Sequence, residues 1–308
     1  MSVKMKLMQK NGIMAMNLAK EFINLNEGDR IGTVANYSEK YNAARGTVQC
    51  ALKLLQENKA IGLEARGHLG TFLTFIDQKK LLEFTDIKTI VGVMPLPYSK
   101  LYEGLATGLY KTFLSKKLPI SIAYMRGANS RLESLQGGRY DFVVMSELAA
   151  EYSINNGADI EIIMNFGKYT YVHEHALIFS NPINISIKDG MKIGIDRNSI
   201  DHYLLTLAQC EGKKVELVDL AYNQIISKIL SGDIDAAVWN IDEINERKIG
   251  IKYYPLENDK FNKEDTEAVM VVNKNRTEIT SILTRFLNKK EILDWQNKVI
   301  TGEITPNY

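Results

Sequence analysis

The stretch from Asp29 to Leu73 constrains the fold most, because only one short architecture suits its pattern. Thr33 can cap a helix running to Tyr41, since its hydroxyl can accept a free N–H at the helix start. Asn42 ends that helix and tolerates the turn that follows. A second helix is expected from about Ala44 to Asn58, with Val48, Ala51, Leu52 and Leu55 on one face at helical spacing. That phasing turns Arg45, Gly46, Thr47, Gln49, Cys50 and Lys53 outward. Arg and Gln reach base edges in a major groove, whereas Lys and Thr reach phosphates. Two strands should follow, Ile61–Ala65 and Thr71–Leu73. The glycine-punctuated turn Arg66-Gly67-His68-Leu69-Gly70 lies between them. The DNA-contacting set expected from this segment is Thr33, Arg45, Gly46, Thr47, Gln49, Lys53, Arg66, Gly67, His68, Gly70 and Thr71.

Ala44-Arg45-Gly46-Thr47-Val48 together with Arg66-Gly67-His68-Leu69-Gly70-Thr71-Phe72 resembles the winged helix of GntR-type bacterial regulators. The resemblance implies Arg45 and Thr47 at the groove and the Arg66–Thr71 wing tip at neighbouring phosphates or the minor groove. The sequence departs from that family at Ala44, where a serine is usual, and at Gly32-Thr33-Val34-Ala35, where a Pro-Ser-Glu-Arg run is usual. Charge agrees with a reader at the front of the chain. Residues 1–76 carry 10 Lys/Arg and 6 Asp/Glu, a balance of +4. The rest carries 28 and 31, a balance of −3, so double-stranded DNA is the partner expected of the head alone. An amphipathic helix over roughly Met8–Leu25 completes the expected head, residues 1–76, with 77–87 as connector.

Residues 88–308 read differently. Ile87–Met94 is a β-branched run of the kind buried on both faces, and it stops at Pro95-Leu96-Pro97-Tyr98-Ser99. A helix (99–115), a strand (119–125), a helix (131–137) and a strand (141–145) follow. That rhythm predicts parallel sheet covered by helices. Leu135-Gln136-Gly137-Gly138-Arg139-Tyr140-Asp141 is echoed by Leu230-Ser231-Gly232-Asp233-Ile234-Asp235. Each Gly-x-x-Asp opens a strand, and each follows an earlier strand, around Val91–Val93 and Lys192–Ile195. Two α/β lobes explain the echo. The fold expected is α/β behind a winged helix-turn-helix: a two-lobed body resembling the type 2 periplasmic-binding-protein fold. Lobe one would span about 88–165 and 268–308, and lobe two about 168–265. Head and body together resemble the YhfZ-type family of bacterial transcriptional regulators over essentially the whole chain.

In open α/β sheets ligands sit beyond the carboxyl ends of the strands, here between the lobes. The residues expected there are Pro97, Tyr98, Ser99, Arg126, Asn129, Ser130, Ser146, Glu147, Tyr169, Asp196, Arg197, Ser199, Trp239 and Asn240. Helix starts at Ser99, Ser130 and Ser199 would offer N–H groups to an anion, and Arg126 or Arg197 a bidentate clamp. A small polar effector with an anionic group is the ligand expected. His173 and His175 lie two apart, as a metal pair on a strand would, but no third ligand is near, so no metal is assigned. No nucleophile elbow, P-loop or dinucleotide fingerprint occurs, so no catalytic residue and no cofactor are assigned. Cys50 and Cys210 have no metal or redox spacing. No apolar run reaches membrane-span length, and the expected location is the cytoplasm. Paired half-sites call for a homodimer. The function expected is a ligand-responsive transcriptional regulator; the alternatives are an enzyme or a solute-binding protein on the same fold.

Overall fold

The computed structural model describes residues 9–85, 87, 89–116, 118–257, 261 and 263–308. The expected start of the first helix at Met8, and Asp86 and Lys88 of the connector region, lie outside them. By packing, the chain divides into two compact units. One holds residues up to Ile90 with Lys116–Pro119 and Thr277–Phe286; the other holds Val91–Ser115, Ile120–Arg276 and Leu287–Tyr308.

The first unit is built on α1 (Lys10–Phe22), α2 (Val34–Lys40) and α3 (Arg45–Glu57), followed by β1 (Ile61–Ala65) and β2 (Thr71–Ile76). Thr33 and Asn36 form a reciprocal cap on α2. Asn42 turns the chain with φ 47°. Val48, Ala51 and Leu55 of α3 are buried, as their spacing predicts. β1 and β2 pair antiparallel. A short helix α4 (Gln78–Phe84) follows, capped by Asp77. The late helix α11 (Thr277–Phe286) belongs to this unit: the Arg285 guanidinium donates to the carbonyls of Ile23 and Leu25 and to Asn26 Oδ1.

The second unit contains two five-stranded sheets. In the first, β3 (Ile90–Met94), β4 (Ile120–Tyr124), β5 (Phe142–Ser146), β6 (Ile160–Gly167) and β12 (Ala268–Asn273) lie in the order β4-β3-β5-β12-β6. In the second, β7 (His175–Phe179), β8 (Lys192–Ile195), β9 (Glu216–Asp219), β10 (Ala236–Asn240) and β11 (Tyr253–Pro255) lie in the order β11-β7-β10-β8-β9. The chain leaves the first sheet after Gly167 and enters the second at His175; it leaves the second after Pro255 and re-enters the first at Ala268. Helices α5 (Lys100–Ser115), α6 (Ala128–Gln136), α7 (Glu147–Asn155) and α12 (Lys289–Ile300) accompany the first sheet; α8 (Ile200–Cys210), α9 (Tyr222–Ser231) and α10 (Ile241–Glu246) accompany the second.

The sheets are mixed, which corrects the expectation of parallel pairing. β3 pairs parallel with β5, and β8 with both β9 and β10. β12, however, runs antiparallel to β5 and β6, and β7 antiparallel to β10 and β11. Strands reached by a helical crossover keep direction, whereas β7 and β12 are the first strands after each passage between sheets.

The sequence echo has one physical job in both places. Asp141 accepts the Val91 N–H at 2.8 Å through Oδ2, and its own N–H reaches the Val91 carbonyl at 2.7 Å. Asp235 does the same with Lys192, at 2.7 Å both ways. Gly138 and Gly232, with φ of 72° and 74°, end the preceding helices in the left-handed region. Each aspartate thereby sets the start of the parallel strand beside it. Asp141→Ala is expected to cost about 1–3 kcal/mol, the penalty for leaving a part-buried strand N–H unpaired, and Asp235→Ala less, because the Lys192 N–H lies at an exposed position where water can replace the carboxylate. Loss at Asp141 should be larger, because Arg276 also pairs with it at 3.3 Å. Denaturant midpoints of the two variants check both the cost and the order.

Candidate functional site

On the first unit, the face of α3 opposite its buried stripe presents Arg45, Gly46, Gln49 and Lys53 to solvent, with Thr47 half-buried. No hydrogen bond or ion pair among the described residues engages Arg45, and Lys53 makes only a loose pair with Glu57 at 3.6 Å. Thr33 is committed to its cap. At the wing, Gly67 and Gly70 take φ of 56° and 101°, and His68 is exposed. Arg66 is held by Glu64 at 2.7 Å and lies over the Phe72 ring. Thr71 is half-buried, its carbonyl accepting the Ile31 N–H. Arg30, which sequence reasoning did not select, lies against Gly70, where a Cβ would meet its Nε at 2.5 Å. Arg30 therefore adds a second guanidinium to the wing beside Arg66.

On the second unit, a part-open cavity of about 70 Å³ lies where strand ends of both sheets meet. Of the residues expected there, Tyr98, Arg126, Ser199 and Asn240 line it. Arg126 and Ser130 also line an open depression alongside, and Asn129 and Arg197 line another. The remainder sit elsewhere. Ser146 is buried; it caps α7 and donates to Asp201 at 2.5 Å. Glu147 accepts from Asn165. Asp196 is buried and accepts the N–H groups of Asn198 and Tyr222, which shapes its own loop. Trp239 is buried behind Tyr222, stacked on it at 4.0 Å. Tyr169 is exposed beside Lys263. Arg197 is occupied by Asp219 at 2.7 Å. Pro97 and Ser99 flank the lining Tyr98, and Ser99 is buried.

Two of the three expected helix-start anion sites are already filled. The Lys100 N–H, at the start of α5, donates to both carboxylate oxygens of Glu246 at 3.0 Å. At the start of α6, the Asn129 N–H reaches the Asn198 carbonyl at 3.4 Å, and Ser130 bonds the Asn198 side chain. Residues from the second-sheet half thus close both positions. Arg126 is tied across in the same way, donating to Asn223 at 2.5 Å. Only Ser199, which makes no side-chain cap to α8, stays at the cavity.

The cavity wall also holds residues that the sequence reading missed: Tyr102, Arg131, His175, Asp201, His202, Tyr222 and Glu243. Tyr171 joins them. A signal existed. Arg131 occupies the buried stripe of α6 with Ala128, Leu132 and Leu135, and a cation at a core-phased position is rarely idle. Asp201 and His202 likewise fall on the buried side of α8. The Arg131 guanidinium donates to the Met125 carbonyl at 2.9 Å and to Tyr171 Oη at 3.4 Å. Burial pushes Asp201 up to about 6, against the Ser146 hydrogen bond and the charges of His175 and Arg131. Burial pushes His202 down to about 4. Its Nδ1 accepts the Asp196 N–H at 3.1 Å, so the neutral ring carries its proton on Nε2. For His175, burial opposes charge, but the hydrogen bond to Asp265 at 2.6 Å and that carboxylate's charge win, and its pKa sits above the usual value. Burial raises Glu243, which Arg247 pairs at 2.9 Å. His173 and His175 do not act as a pair: each is bound to a different carboxylate, Asp242 and Asp265. Among the described residues no helix is long and apolar enough to cross a membrane.

Residues 77–308 match the family model described as the YhfZ C-terminal domain, and residues 26–73 match a helix-turn-helix domain model. The protein YhfZ of Escherichia coli K12 is 36% identical over 302 residues, covering 97% of this chain and 98% of that one. The crystal structure of YhfZ from Shigella flexneri is 36% identical, with a TM-score of 0.63, covering 75% of this chain and 97% of that one. An ancestral arginine-binding protein matches the fold at 14% identity and a TM-score of 0.52, over 70% of this chain and 97% of its own. The periplasmic domain of BvgS from Bordetella pertussis matches at 14% and 0.51, over 75% of this chain and 45% of its own. With a helix-turn-helix head, and a body of the two-lobed periplasmic-binding-protein type that matches the family model from Ile76's successor to the last residue, the chain belongs to the YhfZ family.

Proposed function

We propose that the protein is a ligand-responsive transcriptional regulator, whose head reads double-stranded DNA in the GntR manner and whose cavity takes a small polar effector with an anionic group. The observation that carries the reading is α3: its apolar stripe is buried, while Arg45, Gln49 and Lys53 face solvent on the other side. No requirement of the fold explains that cationic, hydrogen-bonding face; a major groove does. The buried Arg131 guanidinium in the cavity supports an anionic effector group.

The mechanism follows from differential binding. An effector that prefers the closed cavity shifts the population of the body's two halves toward closure. In a homodimer that shift changes how two heads address paired half-sites. Regulation of this kind places the protein in the cytoplasm, with the DNA. The cavity's role in this reading is recognition, not turnover.

Arg45→Ala is expected to weaken specific binding by about 1–3 kcal/mol per half-site, roughly 5- to 150-fold. Stability should change by no more than about 0.5 kcal/mol, because the side chain is exposed. Gel shifts with promoter DNA at two salt concentrations, beside a melting curve, measure both. Undiminished sequence-specific binding by the variant would remove α3 from the groove.

A further inference from the structure

The cavity's charges do not cancel among themselves. His175 is compensated by Asp265, and Glu243 by Arg247. Among the buried charges of the wall that leaves Arg131 and Asp201, which are 3% and 8% exposed; Arg126, also on the wall, is exposed and donates to Asn223. Arg131 and Asp201 line the same cavity. No ion pair joins them, although each is buried: Arg131 spends its donors on a carbonyl and a phenol, and its Nε has no partner among the described residues. Among the described residues, the side-chain hydrogen bond to Asp201 comes from the Ser146 hydroxyl. Leaving opposite buried charges apart is costly unless something with complementary ends bridges them.

The space between them is small. About 70 Å³ admits roughly two waters at about 30 Å³ each, and so only a very compact ligand unless the walls move apart. Tyr98, Tyr102, Tyr171 and Tyr222 supply flat walls. Burial holds the phenols of Tyr102, Tyr171 and Tyr222 in their neutral form, Tyr171 at about 12, so they add hydrogen-bonding edges and no charge.

We infer that the effector is a small zwitterion of the α-amino-acid class, its carboxylate on the Arg131 guanidinium and its ammonium on the Asp201 carboxylate, enclosed by the tyrosine walls. This deepens the sensor reading above and rests on it. A molecule with both ends neutralises both buried charges at once; a simple anion satisfies Arg131 and leaves Asp201 facing it. Size favours the smallest members of the class.

The test uses the full-length protein at pH 8, where Asp201 is ionised, with titration calorimetry and melting curves. The two-ended probes are glycine, L-alanine, D-alanine and L-serine. The one-ended probes are propionate and ethylamine, each of which has lost one charged end. At least one two-ended probe is expected to bind saturably and raise the melting temperature, while the one-ended probes do neither. Asp201→Asn, nearly isosteric and able to keep the Ser146 contact, should weaken that probe at least about 30-fold. Arg131→Gln should do likewise. Propionate binding as well as alanine does, or undiminished binding in Asp201→Asn, overturns the zwitterion while leaving the effector cavity in place. Failure of every probe also overturns it. If a broad metabolite panel is then equally silent while DNA binding persists, the effector reading itself falls.

Discussion

Replacing Gly108 by alanine is expected to destabilise the body by about 3 kcal/mol and lower its melting temperature by roughly 6–12 °C. The sign is the informative part. Gly to Ala inside a helix ordinarily stabilises by about 0.5–1 kcal/mol, since glycine loses more backbone freedom on folding. At Gly108 the added Cβ would overlap the Ile292 carbonyl oxygen, with the Ile292 Cγ2 only 3.0 Å away. One turn earlier, a Cβ on Gly104 would lie 2.8 Å from the Gln296 carbonyl. The obstacles are backbone atoms, so no rotamer change relieves them; α5 and α12 would have to part. Parting them also breaks the Gln296 bridge, because its buried amide donates to the Leu101 carbonyl at 3.0 Å and the Thr170 carbonyl at 2.8 Å. Thr170 belongs to the passage from the first sheet to the second. Packing of α12 on α5 is therefore coupled to the segment that joins the two sheets, which the proposed closure would bend. Gly46, around which nothing lies within 4 Å, is the control, and its alanine variant should be neutral or slightly stabilised. Equal melting temperatures for Gly108→Ala and the parent would mean that the two helices do not approach as closely as described.

The second large effect concerns pH, and it shows as a difference between variants. His202 has a folded pKa of about 4 against an ordinary 6.5. Its contribution to stability is complete above pH 6.5 and is lost as pH falls through 4. Asp201 has a folded pKa of about 6 against an ordinary 3.8. Its contribution runs the other way, present below pH 3.8 and lost as pH rises through 6. Each shift is worth about 3 kcal/mol, so in the parent protein the two nearly cancel between pH 4 and 6.5. Asp201→Asn unmasks the histidine, and that variant should lose stability on acidification. His202→Gln unmasks the aspartate, and that variant should gain stability over the same window. Glu147, Glu243 and Glu246, all raised by burial, titrate in all three proteins and drop out of the comparison. Melting curves at half-unit pH intervals measure the three slopes. Parallel slopes would show that neither group is buried in the folded protein as described.

The two readings meet at Asp201. At pH 8 the ligand-free Asp201→Asn protein should be more stable than the parent, because a buried ionised carboxylate has been removed. The same change should abolish the response to a zwitterion. A residue that destabilises the empty protein and is indispensable to the filled one is what a binding site held ready at a cost to stability looks like.

Local patterns reached far in this chain. Thr33, Asn42 and the Val48–Ala51–Leu55 stripe specify the helix-turn-helix because capping, turn formation and helical phase depend on near neighbours. The Gly-x-x-Asp echo marks two related halves through local spacing alone, and Tyr98, Arg126, Ser199 and Asn240 are legible as loop residues after strands. Other features depended on which distant segments meet. The direction of β7 and β12 follows from where the chain re-enters each sheet. Glu246 and Asn198 occupy helix starts that are far from them in sequence, so those N–H groups are spoken for. Arg131 and Asp201 stand on separate helices about 70 positions apart. Neither carries a local motif, because a buried charge acquires its meaning only from the side chains that surround it in three dimensions.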